Sequence, residues 1–264
     1  FSSQQKTDLG DVAGDINQGE KTYAIHVPEA LQKQGKPQGP DGNENITVKY
    51  TDSNIFTNTA MTLDVYSQDI ENVFFFSPNL ANPDEGYDGG QSIIRSEKRG
   101  ARATFNTIAD FDGVEATFIY GVDALQDTTS QPLVDGRVWV PEMDMDSIAG
   151  FLQTKWVIQD DIIVKAGVRR ESIDLTVDDY ETLKLCRTAT QCSVPLQVKG
   201  DTIDYDATTY NIAIKYNWKD VFSPFINYSQ GSDIADIGRL LRAATVDDIG
   251  LIQTEASIID NYEA

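Results

Sequence analysis

Regular alternation of apolar and polar side chains is the feature that most constrains how this chain folds. The stretch from 150 to 173 reads GFLQTKWVIQDDIIVKAGVRRESI and alternates at period two on both sides of 159–161. Successive side chains of a strand point to opposite faces. One predicted face carries Ile162, Val164, Ala166 and Val168, and the other carries Lys165, Gly167 and Arg169. The stretch therefore predicts two amphipathic strands and a tight turn, with a different environment on each face.

The same alternation recurs along most of the chain. Residues 207–218 place Tyr210, Ile212, Ile214, Tyr216 and Trp218 on one face, and Asn211, Ala213, Lys215 and Asn217 on the other. Further strands are predicted at 45–52, 58–75, 92–109, 115–128, 145–158, 222–229 and 257–264. Helical spacing is limited to short segments at 28–34 and 236–244. The sequence thus predicts an all-β chain with about nine strands.

The predicted connections alternate in length, which indicates an antiparallel up-and-down sheet. Short turns are predicted at 110–113, 159–161 and 218–220, and long loops at 77–91, 131–146, 174–206 and 230–257. An outer-membrane barrel has short turns at one end, long loops at the other and aromatic girdles at the interfaces. Trp156, Tyr216 and Trp218 lie near the short turns. A soluble β-sandwich, which buries one face against a second sheet, remains the alternative.

Composition excludes several classes of protein. The chain has 21 basic and 42 acidic residues and a formal charge of −21, which would repel nucleic acid. No run approaches the roughly 18 apolar residues of a membrane-spanning helix. The opening FSSQQKTDLGDVAG has neither the basic start nor the apolar stretch of a signal peptide. We therefore expect an excerpt of a longer chain that neither binds nucleic acid nor crosses a membrane as helices.

Two cysteines occur in the polar segment KLCRTATQCSVP. Cys186 and Cys192 have five residues between them. A zinc site would have too few ligands, because the chain holds one histidine and no other cysteine. A small local disulfide and two free thiols remain, and an oxidising compartment would favour the disulfide. Such a ring would stabilise its loop by roughly 2 kcal/mol.

No motif in the sequence indicates catalysis. His26, in TYAIHVPEA, is the single histidine, and no nucleophile motif, phosphate loop or dinucleotide fingerprint is present. Acidic clusters at 83–90, 142–146, 177–180 and 204–206 have the ligand type that Ca²⁺ prefers, but none matches an EF-hand loop. Solvated acidic loops are the simpler interpretation. We expect a binding or transport protein without a cofactor or a resident metal.

Three loop residues are candidates for contact with a ligand. Arg137 and Trp139 lie together in DGRVWVPEMD, and Tyr87 lies in the predicted 77–91 loop. Guanidinium and aromatic side chains suit an anionic or aromatic ligand. The same residue types also serve as ordinary loop anchors.

Several motifs, taken in order, resemble the TonB-dependent outer-membrane receptors, especially those that import ferric siderophores. GFLQTKWVIQDDIIVKAGVRRE is similar to the family's strand, polar turn and strand ending G-x-R-x-E, although Arg170 stands where tyrosine is usual. SPFINYSQG (223–231), IDNYEA (259–264) and TFIYGVDALQDTTSQ (117–131) resemble later or neighbouring strands. SDIADIG follows Gly231, where the family often has an aromatic residue and a proline. The likeness covers residues 58–264.

The resemblance implies an antiparallel section of a 22-stranded transmembrane β-barrel in the outer membrane of a Gram-negative bacterium. It implies a ferric siderophore or similar metal chelate as transported ligand, membrane lipid around the apolar faces, and coupling to the TonB complex through a plug. The plug, the TonB box and the C-terminal strands have no match in residues 1–264. We therefore expect a middle section that neither closes nor transports by itself. The alternative is a secreted β-sheet adhesin or carbohydrate-binding module with acidic, Ca²⁺-binding loops.

Overall fold

The computed structural model describes residues 36, 38–188, 191–218, 221–234, 236–251 and 255–264. His26 and the helix predicted at 28–34 lie outside the described residues. Nine long strands form one antiparallel sheet in which chain neighbours pair with each other. They are β1 (Glu44–Phe56), β2 (Thr59–Val73), β3 (Ile93–Asp110), β4 (Val114–Pro132), β5 (Val138–Ile158), β6 (Ile162–Val177), β7 (Asp201–Tyr216), β8 (Phe225–Asp233) and β9 (Ser257–Glu263). The predicted all-β, up-and-down arrangement is confirmed.

Shorter elements lie at one end of this sheet. Gly39–Pro40 pairs with the end of β2, Tyr180–Glu181 pairs with Gln197–Val198, and Cys186–Thr188 pairs with Gln191–Cys192. Three 3-10 helices are Pro78–Leu80, Pro83–Glu85 and Ile249–Leu251. The helix predicted at 236–244 is present as α1 (Ile237–Arg242), capped by the Asp236 carboxylate, which accepts from the Arg239 N–H at 3.0 Å. Within the described ranges, no helix is long and apolar enough to cross a bilayer.

Short turns join the strands at the opposite end. They are 57–58, 111–113 and 159–161, and the 217–224 connection lies at the same end. Asn58, Asp112, Gln159 and Asp160 have positive φ angles of 55°, 54°, 52° and 62°. Asparagine and aspartate tolerate this left-handed region better than most residues, because their short polar side chains bond to nearby backbone. The turns predicted at 110–113 and 159–161 are therefore confirmed. The 57–58 turn was not predicted, because residue 58 was assigned to a strand, and the turn predicted at 218–220 lies partly outside the described residues.

The loop predicted at 131–146 is wrong, because the connection between β4 and β5 covers only 133–137. Residues from Val138 onward continue the strand, and the acidic run is an alternating surface. Asp144 and Asp146 share one face, where they accept from Thr128 Oγ1 at 2.7 Å and Gln126 Nε2 at 2.9 Å. Met143 lies on the other face, where it packs against the buried cluster that includes Ile237 and Leu241 of α1. Carboxylates at every second position indicated a solvated loop, whereas they belong to a strand with one wet face.

The two faces of the sheet differ as predicted. We call the face that bears Ile212 the outer face and the face that bears Ala213 the inner face. Ile212 pairs with Ala166 on β6 and with Tyr228 on β8, so these side chains share the outer face. Lys215 lies on the inner face. Ile212 remains 49% exposed, and no second sheet covers the outer face in the described part of the chain. This exposure separates the fold from a β-sandwich.

An apolar band crosses the outer face. On β4 it consists of Val114, Ala116, Phe118, Tyr120, Val122 and Ala124. Ten residue steps make ~33 Å of strand, or ~25 Å along a barrel axis at a tilt of ~40°, which is the height of the lipid-facing band of an outer-membrane barrel. At the short-turn end Trp156 lies 5.9 Å from the ring of Phe111 and 5.4 Å from that of Phe118. Trp156, one of the three aromatic residues predicted for an interfacial girdle, therefore lies in a cluster of rings at that end.

The apolar core lies on the inner face at the long-loop end. Ile237 and Leu241 of α1 and Ile249 of the same 234–256 connection are 5% or less exposed and pack against the ends of β6 and β7. Leu175 and Ile203 are the register partners that form the floor of this cluster. The described parts of the 234–256 connection are therefore folded onto the inner wall.

Both edges of the sheet are open among the described residues. β1 pairs with β2 alone and β9 pairs with β8 alone, so the first and last strands do not meet. Their outward backbone N–H and C=O groups are available for pairing with further strands.

Candidate ligand-binding site

A network of charged side chains follows the inner face through the middle of the sheet. Asp123 on β4 accepts from Arg102 Nη2 at 3.1 Å and from Arg169 Nη1 at 2.5 Å. Arg169 Nη2 also donates to Glu171 Oε1 at 3.2 Å, and Ser147 Oγ donates to the same oxygen at 3.0 Å. These groups come from β3, β4, β5 and β6, and the period of two places all of them on one face. The inner wall is therefore polar and ion-paired where the outer face is apolar.

Arg137, a predicted ligand contact, lies in the 133–137 turn and is almost fully engaged. Its Nε and Nη2 donate to the carboxylate of Asp135, with a shortest distance of 2.7 Å. Nη1 donates to the carbonyl of Leu80 at 2.8 Å and Nη2 to that of Gly89 at 2.7 Å. The side chain is only 8% exposed. Arg137 thus fastens the 74–92 connection to the turn between β4 and β5, and its guanidinium is not open to a ligand.

Tyr87, the second predicted contact, lies directly against this anchor. The guanidinium carbon of Arg137 lies 3.9 Å from the centroid of the Tyr87 ring, which is a cation–π contact. Tyr87 and Asn82 also bond through their backbones at 2.8 and 2.9 Å. Tyr87 is half-buried, so one part of its ring still faces solvent. Two predicted residues are therefore in contact with each other.

Trp139, the third predicted contact, meets a different cation. Arg242, the last residue of α1, places its guanidinium carbon 4.9 Å from the Trp139 ring centroid. No carboxylate among the described residues pairs with this guanidinium, in contrast to Arg137. Both side chains are half-buried. The site thus combines an aromatic surface with a cation whose N–H donors remain available.

A cavity of about 710 Å³ adjoins Arg242. It lies between the end of α1 and the 178–200 connection. Its walls are Asn79, Thr182, Leu183, Leu185, Gln191, Cys192, Ser193, Val194, Arg242, Ala243 and Ala244. Pockets for small molecules in proteins commonly have volumes of 300–1,000 Å³ and mostly apolar walls with a few polar groups. Among the described residues that line this cavity, Arg242 is the one with a charged side chain.

A disulfide shapes one wall of the cavity. Cys186 and Cys192 form a bond with an Sγ–Sγ distance of 2.00 Å. Leu185 N–H donates to Ser193 Oγ at 2.9 Å, and Cys186 N–H donates to the carbonyl of Ala81 at 3.0 Å. The second bond ties the disulfide hairpin to the 74–92 connection, which Arg137 also holds. The wall is therefore fixed from two sides.

Tyr180 fixes α1 to the same region. Its hydroxyl donates at 2.9 Å to the carbonyl of Leu241 in the last turn of α1, which also accepts from the Ala244 N–H at 3.3 Å. Burial raises the pKa of the Tyr180 phenol to about 12, because the charged phenolate loses hydration there. Arg242 follows Leu241 directly, so this hydrogen bond also positions the cation.

The sequence analysis missed Arg242. The segment DIGRLLRAA at 236–244 was predicted as a short helix, and Arg242 was assigned no role. Arg242 follows the buried Leu241 directly and comes three residues after the exposed Arg239. This spacing indicates a helix end with an apolar side towards the core and a cationic side away from it. The predicted acidic clusters do not assemble into a metal site: the described residues contain no group of three or more His, Cys, Asp or Glu side chains suited to one.

A single antiparallel sheet with an apolar outer band, an ion-paired inner face and long loops at one end defines a segment of an outer-membrane β-barrel wall. The chain belongs to the family of TonB dependent receptor-like β-barrels, whose pattern matches residues 4–263. This is a family of receptors in the outer membrane of Gram-negative bacteria, which is therefore the location of the chain.

Two receptors are similar in sequence. The ferric aerobactin receptor of Klebsiella pneumoniae is 22% identical over 214 residues, which cover 74% of this chain and 29% of that receptor. The rhizobactin receptor of Rhizobium meliloti (strain 1021) is 23% identical over 266 aligned positions, which cover 89% of this chain and 34% of that receptor. The chain thus spans about a third of the length of these relatives.

Two solved structures share the fold. The siderophore receptor PiuA from Acinetobacter baumannii has a TM-score of 0.61 and 12% identity, over 88% of this chain and 38% of that one. The copper transporter OprC has a TM-score of 0.60 and 10% identity, over 86% and 37%. At these identities the likeness shows the fold alone.

Proposed function

We propose that this chain forms a section of the wall and loops of an outer-membrane receptor that takes up a ferric siderophore or similar metal chelate. The observation that carries the proposal is the cavity beside Arg242 and Trp139, at the loop end of a wall with an apolar outer face. The ferric aerobactin and rhizobactin receptors, with which the chain aligns over most of its length, support the ligand class.

The chemistry of the cavity favours an anionic chelate. Siderophores bind iron through oxygen anions, and many carry further carboxylates. Arg242 offers unpaired N–H donors to such groups, and a guanidinium binds carboxylates in a two-pronged geometry. The Trp139 ring holds the guanidinium from one side, so little side-chain freedom is lost on binding. We therefore assign Arg242 and Trp139 to ligand contact.

Tyr87 belongs to the same proposed surface, with Arg137 in a supporting role. The Arg137 side chain bonds to two loop carbonyls and to Asp135 and stacks against Tyr87. We infer that Tyr87 contacts the ligand and that Arg137 fixes the loop that presents it.

The inner wall and the coupling to energy complete the proposal. In a longer receptor the ion-paired inner face would line the space that holds a plug, and the plug would connect to the TonB complex. The open edges at β1 and β9 suit this arrangement, because further strands of the same barrel would pair with them.

The test uses the complete receptor that carries this chain. It is expressed in an iron-starved Gram-negative strain that lacks other siderophore receptors. Binding of ferric aerobactin and of an uncharged ferric hydroxamate is measured by tryptophan fluorescence of the purified receptor, and uptake is measured with radioactive iron. We expect Arg242→Gln to weaken binding of the carboxylate-bearing chelate about 10-fold or more, as a charge-assisted hydrogen bond is lost. The uncharged chelate should respond less.

Arg239→Gln is the matched control. Arg239 lies on the same helix and is exposed, but it does not line the cavity. Equal losses in the Gln variants at 239 and 242 would show that net charge and not the cavity attracts the ligand. Wild-type receptor that binds neither chelate would refute this ligand class.

A further inference from the structure

A polar depression of about 430 Å³ lies on the inner face of the sheet, closer to the short turns than to the long loops. Strands β4 to β8 line it. Lys165, in its wall, is twelve residue steps from Val177 at the loop end of β6, or ~40 Å of strand and ~30 Å of height at a tilt of ~40°. The cavity beside Arg242 shares none of its residues. The depression is therefore a separate place on the wall.

Two lysines face each other in this depression. Lys155 on β5 and Lys165 on β6 are register partners, and both lie on the inner face, because Lys165 also pairs with Ala213. Like charges directly opposite each other destabilise a sheet. No carboxylate among the described residues pairs with either ammonium group, whereas Lys49 on the same face lies 3.8 Å from Asp64. Stability of the sheet thus does not account for the lysine pair.

Neutral polar side chains complete the wall. Two of them belong to the register row of the lysines and three to the next row towards the loops: Thr117 and Asn227, then Gln153, Asn211 and Ser229. Gly167 lies between Gln153 and Asn211, and a Cβ at that position would be 2.9 Å from the Asn211 amide and 3.1 Å from Gln153 Cγ. Both amide side chains therefore lean over the glycine. They offer hydrogen-bond donors beside the ammonium groups without adding negative charge.

The depression is a local exception to the charge of the chain. The formal charge of the whole chain is −21, yet the lining contains two lysines and no carboxylate. The next row towards the short turns adds Lys215 and one carboxylate, that of Glu115. A concave surface with one sign of charge concentrates ions of the opposite sign. The depression therefore suits a small anion with several oxygen acceptors.

We propose that this depression is a second binding site for the anionic metal chelate, which occupies it within the lumen after it leaves the Arg242 cavity. The inference rests on the proposed function, because it takes the same ligand. An ammonium group is a strongly hydrated point charge without the two-pronged geometry of a guanidinium, so the lysine pair holds a carboxylate less tightly than Arg242 does. A site along a pathway must bind strongly enough to accept its solute and weakly enough to release it. The lysines thus help an anion to pass the carboxylates of the inner face.

The experiment uses the complete receptor, with ferric aerobactin as the probe. Binding to the purified receptor is measured by tryptophan fluorescence, and uptake of radioactive iron is measured at saturating chelate in iron-starved cells. The double variant Lys155→Gln, Lys165→Gln should fold as wild type does, because it removes a like-charge repulsion. We expect its dissociation constant to stay within about 2-fold of wild type, since the Arg242 cavity is intact. The saturated uptake rate should fall about 5-fold or more, since charge-assisted hydrogen bonds along the path are lost.

Two further variants separate this site from the general charge of the inner face. Lys49→Gln removes the same charge outside the depression and should leave uptake at the wild-type rate. Lys155→Glu gives Lys165 a partner across the strands and should lose as much uptake as the double variant, although one ammonium group remains. Wild-type uptake by the double variant or by Lys155→Glu, or an equal loss in Lys49→Gln, would overturn the inference and leave the proposed function standing.

Sensitivity to vancomycin distinguishes a transit site from a contact that holds a plug. Lysines that fix a plug carboxylate would, once replaced, loosen the plug and admit this large antibiotic through the lumen. We expect the double variant to be as resistant as wild type. Raised sensitivity would assign the lysines to the plug and overturn the inference, whereas a wild-type receptor that does not bind ferric aerobactin would refute both this inference and the anionic chelate of the proposed function.

Discussion

Arg169 on β6 and Asp123 on β4 form an ion pair across the intervening strand, with 2.5 Å between Nη1 and Oδ2. In the register Ala149 of β5 separates Asp123 from Glu171, and its small side chain leaves room for the guanidinium to cross. Arg102 approaches Asp123 from β3. One carboxylate therefore links four strands, because Arg169 also bonds to the Glu171 and Ser147 pair.

Removing this carboxylate should destabilise the wall. Asp123→Ala leaves two guanidinium groups without their shared acceptor, and we expect the free energy of unfolding to fall by about 1–2 kcal/mol after allowance for the exposure of both arginines. Asp64→Ala, which removes a more exposed pair with Lys49 at 3.8 Å, should cost less than about 0.5 kcal/mol. Urea unfolding of the complete receptor in micelles, followed by tryptophan fluorescence, compares the two. Similar losses would show that the network adds nothing beyond single pairs.

The assignment of faces gives a second prediction. Ile212→Lys places a charge on the outer face in the apolar band, and we expect a cost of about 2–4 kcal/mol in lipid. Ala213→Lys, one residue further, places the same charge on the inner face beside Lys215 and should cost less than about 1 kcal/mol. Folding into lipid vesicles measured by heat-modified gel mobility tests both. A larger loss for the variant at 213 would reverse the faces.

Tyr180 predicts a pH dependence at the loop end. Its pKa is about 12 in the folded protein and 10.0 without the fold, so the unfolded chain loses its proton first as the pH rises. The buried Tyr180 phenol therefore contributes fully to the free energy of unfolding of the loop end below about pH 10, and this contribution is lost as the pH approaches about 12. Tyr180→Phe should remove this dependence and weaken the attachment of α1. Subtracting the tyrosinate absorbance titration of the variant from that of wild type isolates the group, and a midpoint near 10 would contradict the prediction.

The disulfide gives a fourth prediction. Replacing both Cys186 and Cys192 by serine should cost the hairpin about 2 kcal/mol in the chain-entropy model, without unfolding the sheet. Limited proteolysis should then cut the 178–200 connection faster while β1 to β9 stay protected. A reductant should have the same effect on wild type and none on the variant. Labelling of both cysteines in the unreduced receptor would show that the bond does not form.

Much of the wall could be predicted because strand alternation is a local property. Ile162, Val164, Ala166 and Val168 lie on the outer face as the period of two requires, and Asp112 and Gly113 form a turn. The 138–146 stretch was misassigned because carboxylates on a strand above the membrane face water, just as loop residues do. Local polarity does not separate the two cases.

The site depended on contacts between distant segments, which alternation does not encode. Arg137 and Trp139 are two residues apart, yet their partners are Tyr87 and Arg242, which are 50 and more than 100 residues away in the sequence. The sequence placed Arg137, Trp139 and Tyr87 in loops, whereas Trp139 lies in β5. The sequence could not show that the Arg137 guanidinium would bond to backbone carbonyls while the Arg242 guanidinium keeps its N–H donors available.

The strands continue well past the apolar band, and this sets the electrical environment of the loops. From Val168 to Val177, the end of β6, are nine residue steps, or ~30 Å of strand and ~20 Å of height at a tilt of ~45°. At physiological salt the Debye length is ~8 Å, so a potential at the lipid surface falls roughly tenfold over that height. An anionic chelate at Arg242 would therefore experience little repulsion from a negatively charged leaflet, and its capture would respond to the charges of the loops themselves.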